Sequence, residues 1–165
     1  MRPRSRLSSV LTLEEARAAY RVGLRRHAAA RARGGQHRHG WTDANSTPGE
    51  RRDTDGQSAV AEALVAKALG RPWLSTGDTP DAPEDGDVGG GVSVRWTPRL
   101  NGCLIVHEDE PPQLVCVLVV GRAPGQRIAG WIHCQEAQAS AYWRTNVRHP
   151  AHFVPQSALR PISEL

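Results

Sequence analysis

The run Gln113-Leu114-Val115-Cys116-Val117-Leu118-Val119-Val120 decides how this 165-residue chain folds. From Leu114 onward it is apolar without alternation and rich in β-branched residues, and turn-forming residues over 108–112 and 122–126 bound it. A strand with one wet face alternates, whereas a strand without alternation is covered on both faces. The run therefore predicts the central strand of a layered α/β domain.

Flanking segments read outward from it. In Val92-Ser93-Val94-Arg95-Trp96 the period is two, with Val92, Val94 and Trp96 on one face and Ser93 and Arg95 on the other. Asn101-Gly102 is a two-residue hairpin signal leading into a strand over 103–107. Further on, residues 128–133 read as a strand, 137–143 as a short helix, and 152–159 as a short strand and turn. Upstream, Thr12 and Glu15 form a capping box, and Leu13, Ala16, Tyr20, Leu24 and Ala28 recur at helical spacing, which predicts a helix over 12–32. Its other faces carry Arg17, Arg21, Arg25, Arg26 and Arg31. Residues 33–55 hold few apolar side chains and read as a flexible linker. A second helix then runs from Asp55 as N-cap to Gly70, with Pro72 blocking continuation. Val60, Ala61, Leu64, Val65, Ala68 and Leu69 cover one half of it. Glu62 sits on the rim of that half, where a carboxylate can point into a cleft. The expected organisation is a basic helical arm and linker over 1–55 and an α/β domain over 56–165.

Charge is unevenly distributed. Residues 1–52 hold twelve arginines against four acids, a net of +8, while residues 53–165 hold nine basic side chains against thirteen acids, a net of −4. A basic segment on an acidic body suits a polyanion, and nucleic acid, DNA foremost, is the expected partner. The arm arginines are the expected contacts; the competing reading is a solvated helix in a chain whose codon bias favours arginine, since Lys67 is the sole lysine. The longest apolar stretch, 114–120, is far too short to span a membrane. Met1-Arg2-Pro3-Arg4-Ser5-Arg6 has the charge of a signal peptide but no apolar run after it, so a cytoplasmic location in a bacterial host is expected. Cys103, Cys116 and Cys134 lie in apolar segments without a CxxC pair and read as buried reduced thiols. His37 and His39 are a pair that could chelate a metal, with a loop of no function as the blander reading.

The order of helix acid, loop acid and polar strand face supports a resemblance. Ala61-Glu62 through Gly70, Asp87-Val88-Gly89, Val92 to Arg95, Gly130 to His133 and Phe153 to Leu159 resemble a group of small phage and prophage proteins. Their layout is similar to the PD-(D/E)XK superfamily, the restriction-endonuclease-like fold. That resemblance implies a central mixed β-sheet flanked by helices and a nuclease site in which two acids and an acid-x-Lys pair hold Mg²⁺ and activate water. Phosphodiester hydrolysis needs an in-line water and a cation on the phosphoryl oxygens. Mg²⁺ takes one or two carboxylates for this. Carried over, Glu62 is the helix acid and Asp87 the metal acid, with Asp85 its rival. Ser93 stands in place of the second acid and Arg95 in place of the lysine. Serine is a poor metal ligand beside a carboxylate, and arginine is too basic to accept a proton, although it grips phosphate bidentately. The expectation is thus a Mg²⁺-dependent nuclease at Glu62 and Asp87. The alternatives are an inactive descendant that binds DNA or RNA through the arm and Arg95, or binds a host protein, and a structural protein of a phage particle.

Overall fold

The structure, a computed structural model, describes residues 10–34, 46–73 and 86–165. Among these residues, three α-helices and two small sheets make a mixed α/β fold. Helix α1 spans Leu13–Ala32 and opens on the expected Thr12–Glu15 capping box. Helix α2 spans Pro48–Leu69 and ends at Gly70, in the left-handed conformation at φ 62°. Its start departs from the sequence reading. The N-cap is Thr47, whose hydroxyl accepts from Glu50 N–H while the Glu50 carboxylate accepts from Thr47 N–H, and Pro48 follows at the first helical position. Asp55 is therefore inside the helix, and the boundary expected at residue 55 falls within a continuous element. The cap signal was complete, but no apolar residue appears before Ala59 to announce a packed face; Arg51, Gly56 and Gln57 are buried instead.

The strands are β1 (Val92–Thr97), β2 (Leu104–Val106), β3 (Val115–Val120), β4 (Arg127–His133), β5 (Trp143–Arg144) and β6 (Ala151–Val154), with a single-turn α3 (Cys134–Ala137) after β4. One sheet is mixed, in the order β1-β3-β4: β1 lies parallel to β3, and β4 antiparallel to it. The second, antiparallel, has the order β2-β6-β5. As expected, β3 is central and covered on both sides. Its Val117 and Val119 pack with Ala61, Leu64 and Val65 of α2. Its Cys116, Leu118 and Val120 pack with Leu104, Val106 and Val154 of the second sheet and Ala137 of α3.

Two expectations are corrected here. The mixed sheet is not flanked by helices on both sides: one face carries α2, and the other carries the second sheet with the short α3. Asn101-Gly102 does not make a hairpin between β1 and the next strand. Gly102 N–H does donate to Arg99 C=O at 3.0 Å. That turn, however, carries the chain out of the first sheet into the second, where Leu104 and Val106 are completely buried. The parallel β1–β3 and antiparallel β3–β4 pairs leave β3 flanked on each edge.

α1 is docked on the domain. Glu15 at its start pairs with Lys67 near the end of α2, and His27 meets Asp55 at 2.6 Å, so the helices run antiparallel. The face it buries carries Ala16, Ala19, Val22 and Gly23, while Leu13 is exposed. A Cβ added at Gly23 would lie 2.2 Å from Asp55 O and 2.7 Å from Gly56 Cα, and one added at Gly56 would lie 2.4 Å from the Tyr20 ring. The two helices thus cross at backbone contact distance. Around the crossing, Tyr20 Oη donates to Asp53 at 2.8 Å, Arg122 donates to the same carboxylate at 2.6 Å, and Gln57 Oε1 accepts from Ala123 N–H at 2.9 Å. Among the described residues no helix is long and apolar enough to cross a membrane.

Gly23→Ala tests the crossing. Forcing a methyl against backbone costs about 1–3 kcal/mol, more than the ~1 kcal/mol gained in helix propensity. Thermal melting should show a lower midpoint for this variant. Gly49→Ala, whose Cβ would meet only Thr47 Oγ1 at 3.9 Å, should hold or raise it. Equal midpoints would mean that the helices do not touch at Gly23.

Candidate functional site

Glu62 projects from the rim of α2, as its place on the helix suggested. Its Oε2 accepts from Arg26 Nη1 at 2.6 Å and from Trp73 Nε1 at 3.1 Å. The Arg26 guanidinium also lies over the Trp73 ring, 5.5 Å from its centroid. Both side chains of the ion pair are only 13% exposed. Burial raises the Glu62 pKa above the ordinary carboxylate value, and the Asp87 charge adds to the rise, against the opposing pull of Arg26 and Trp73. Glu62 and Asp87, far apart in sequence, are therefore electrostatic neighbours.

Asp87 is set by the turn into β1. Gly89, Gly90 and Gly91, with φ of 74°, 61° and 74°, reverse the chain. Asp87 N–H and Val88 N–H then donate to Val92 C=O at 2.8 and 3.2 Å. The Asp87 Oδ2 accepts from Val94 N–H at 2.7 Å and Ser93 Oγ at 3.2 Å, and Arg95 Nη1 lies 3.8 Å away. Ser93 and Arg95 share a strand face, and Arg95 Nη1 donates to Ser93 Oγ at 2.7 Å. Asp87, Ser93 and Arg95 are thus joined by direct contacts, while Glu62 is held apart by Arg26 and Trp73 and is reached by the field of Asp87. Glu62 Oε1 and Asp87 Oδ1 accept no hydrogen bond among the described residues. Lys67 is held by Glu15 at 2.7 Å and does not reach this site.

One member was missed. Glu110, read as part of a turn, is the nearest acid to Arg95 and takes its Nη2 as an ion-pair partner. Its other oxygen accepts from His107 N–H at 2.9 Å. Burial opposes the Arg95 charge, and Glu110 and Asp87 outweigh it, holding this guanidinium above its ordinary pKa. Behind Glu110 lie two thiols: a Glu110 oxygen and the Sγ atoms of Cys116 and Cys134 are all within 4.8 Å of one another. Hydrogen bonding to Cys134, together with burial, pushes the Cys116 thiol up, and the same bond lowers Cys134. No short spacing in the sequence announces this group, because its members come from a turn, from β3 and from the first residue of α3.

The arm arginines divide by helical face. At about 100° per residue, Arg31, Arg17, Arg21 and Arg25 fall within an arc of about 120° and are all exposed. Arg26 lies on the opposite side, engaged with Glu62. Glu14 is the one acid on the exposed arc. Beside the arc a groove of about 350 Å³ is lined by Leu13, Arg17, Tyr20, Arg21, Asp53 and Pro124. His37, His39 and Asp85 lie outside the described residues.

Arg26→Ala tests the buried pair. A group whose folded pKa is raised contributes less stability as pH climbs from its unfolded value through the folded one. With Arg26 removed, Glu62 at about pH 8 is an uncompensated buried charge, worth about 3 kcal/mol of lost stability. At about pH 5 the carboxyl can take a proton, and the loss should shrink. Urea denaturation at the two pH values reads the difference; an equal loss at both would mean that Glu62 is not the group Arg26 compensates. No protein-family model matches the chain, and no curated protein or solved structure is significantly similar to it.

Proposed function

We propose that the chain binds nucleic acid, duplex DNA foremost, through the exposed arginine face of α1. In this reading the Glu62–Asp87 site is a non-catalytic counterpart of the metal site of the restriction-endonuclease-like fold. The observation that carries it is the division of α1: Arg17, Arg21, Arg25 and Arg31 face solvent, while Arg26 and Gly23 fix the opposite side to the domain. A helix rises about 1.5 Å per residue, so the stripe from Arg17 to Arg31 is about 21 Å long. That is the rise of about six base pairs. A docked helix presents its guanidiniums to phosphates without the ordering cost of a free arm. The chemistry at the other site agrees with loss of hydrolysis: Ser93 replaces an acid, Arg95 replaces the amine, and each carboxylate of the pair has an arginine beside it.

A second reading, a Mg²⁺-dependent nuclease of phage type, is favoured by one observation. The charge of Asp87 acts on Glu62, and each keeps one oxygen without a hydrogen bond among the described residues. Glu62 and Asp87 would hold the ion, which would polarise a phosphoryl oxygen and supply the attacking water.

Titration of a labelled duplex at several salt concentrations separates the outcomes. Replacing Arg17, Arg21, Arg25 and Arg31 with Gln should weaken binding and lower the log–log salt slope by about 0.9 for each phosphate that the protein no longer neutralises. An unchanged slope would sink the arginine-face reading. Mg²⁺ should leave the melting point of the wild type unmoved, and the double change Ser93→Glu, Arg95→Lys should create Mg²⁺-dependent cleavage absent from the wild type. Cleavage by the wild type, abolished by Glu62→Ala and by Asp87→Ala, would establish the second reading instead.

A further inference from the structure

Glu110, Cys116 and Cys134 form a second cluster, on the far side of Arg95 from Asp87. Cys116 lies on β3 opposite Ile132 of β4, and Cys134 follows two residues later, with its N–H donating to Leu114 C=O at 2.8 Å. Both thiols are completely buried and point to the same face of the sheet, among Leu104, Leu114 and Ile132. Glu110 is brought over them by the loop between β2 and β3. Gln138 Nε2 holds that loop by donating to Glu110 C=O at 3.0 Å and His107 C=O at 3.2 Å. The Glu110 side chain is only 10% exposed, and Arg95 beside it is 33% exposed, so the group communicates with solvent along these two residues.

We propose that Glu110, Cys116 and Cys134 form a binding site for a thiophilic divalent cation of the zinc class, distinct from the Glu62–Asp87 pair. Three observations support it. The ligand atoms lie within 4.8 Å of one another, so some point is no more than about 2.8 Å from all three, this being the side divided by √3. Zinc–sulfur and zinc–oxygen bonds run at about 2.3 and 2.0–2.2 Å, so a contraction of about half an ångström closes the site. Two sulfurs and one oxygen make a soft donor set, which selects zinc over the hard Mg²⁺. Two thiolates, one carboxylate and a dication leave one negative charge, and the field of Arg95, which reaches both sulfurs, opposes it. On binding, each thiol gives its proton to water, Glu110 contributes one oxygen, and the fourth position is left for water. Ordinary core cysteines need no carboxylate; here a mostly buried acid with its own arginine is turned onto the sulfurs.

Anaerobic titration of the reduced full-length chain with Co²⁺ tests the site. The expected result is one Co²⁺ per chain. Its spectrum should combine thiolate-to-cobalt charge transfer with the intense visible bands of a tetrahedral site, and Zn²⁺ should abolish both by displacement. Cys116→Ala and Cys134→Ala should each halve the charge-transfer intensity, and Cys103→Ala should leave it unchanged. Glu110→Gln should shift the visible bands and keep the charge transfer. Absence of charge transfer in the folded, reduced wild type at a small excess of Co²⁺ would overturn the proposal, and that reading does not depend on any variant folding. Charge transfer abolished by Cys103→Ala would overturn it as well, by assigning the metal elsewhere.

Discussion

Two glycines set the geometry on which the rest depends. Gly23 lets the backbones of α1 and α2 touch, since no larger residue fits there without pushing them apart, and Gly56 leaves room for the Tyr20 ring. At that separation Arg26 reaches Glu62, Lys67 reaches Glu15, and Tyr20 reaches Asp53. Widen the crossing by the diameter of a methyl group and all three distances lengthen together. The crossing also sets the rotation of α1, because its small residues face inward and the arc with Arg17, Arg21, Arg25 and Arg31 is left facing out. One steric fact thus governs both the buried charge pair and the basic surface.

Arginine performs two unlike tasks in this chain. Arg26 and Arg95 are half-buried counter-ions, Arg26 to Glu62 and Arg95 to Asp87 and Glu110. Their planar guanidiniums suit this, since each can satisfy two acceptors at once: Arg95 bridges Ser93 and Glu110, and Arg26 combines an ion pair with a ring contact on Trp73. The solvent-facing arginines of α1 instead contribute field and reach. Composition counts both kinds alike, so the +8 of the first 52 residues overstates the charge offered to a partner.

Much of the sheet was legible because β3 has no polar position, and a strand of that kind has to be central. The shared strand face of Ser93 and Arg95 could be read from periodicity, and the place of Glu62 on the rim of α2 from the helical wheel. What could not be read depends on contacts distant in sequence. Nothing local tells that Asn101-Gly102 turns the chain into another sheet, since the deciding term is the burial of Leu104 and Val106 against β3 and β6. The start of α2 was hidden by its composition: Arg51 and Gln57 are buried there through hydrogen bonds, as at Gln57 with Ala123, and hydropathy does not register such burial. Leu13 and Ala28 looked like a packed stripe, yet α1 docks through its smaller residues, because close helix approach rewards small side chains over large ones. Glu110 escaped notice as one acid among three in a turn.

The bonds that Asp87 makes have another outcome. β1 is an outer strand of its sheet, and such a strand presents unpaired N–H and C=O groups along its free side, a template onto which a foreign strand can zip. Val92 C=O is taken by the Asp87 and Val88 amides, and Val94 N–H is taken by the Asp87 carboxylate. The first two outward positions of β1 are thereby closed by the turn that precedes it. The acid nominated for metal chemistry is, in the folded chain, also the stopper that keeps one molecule from stitching its sheet to the next.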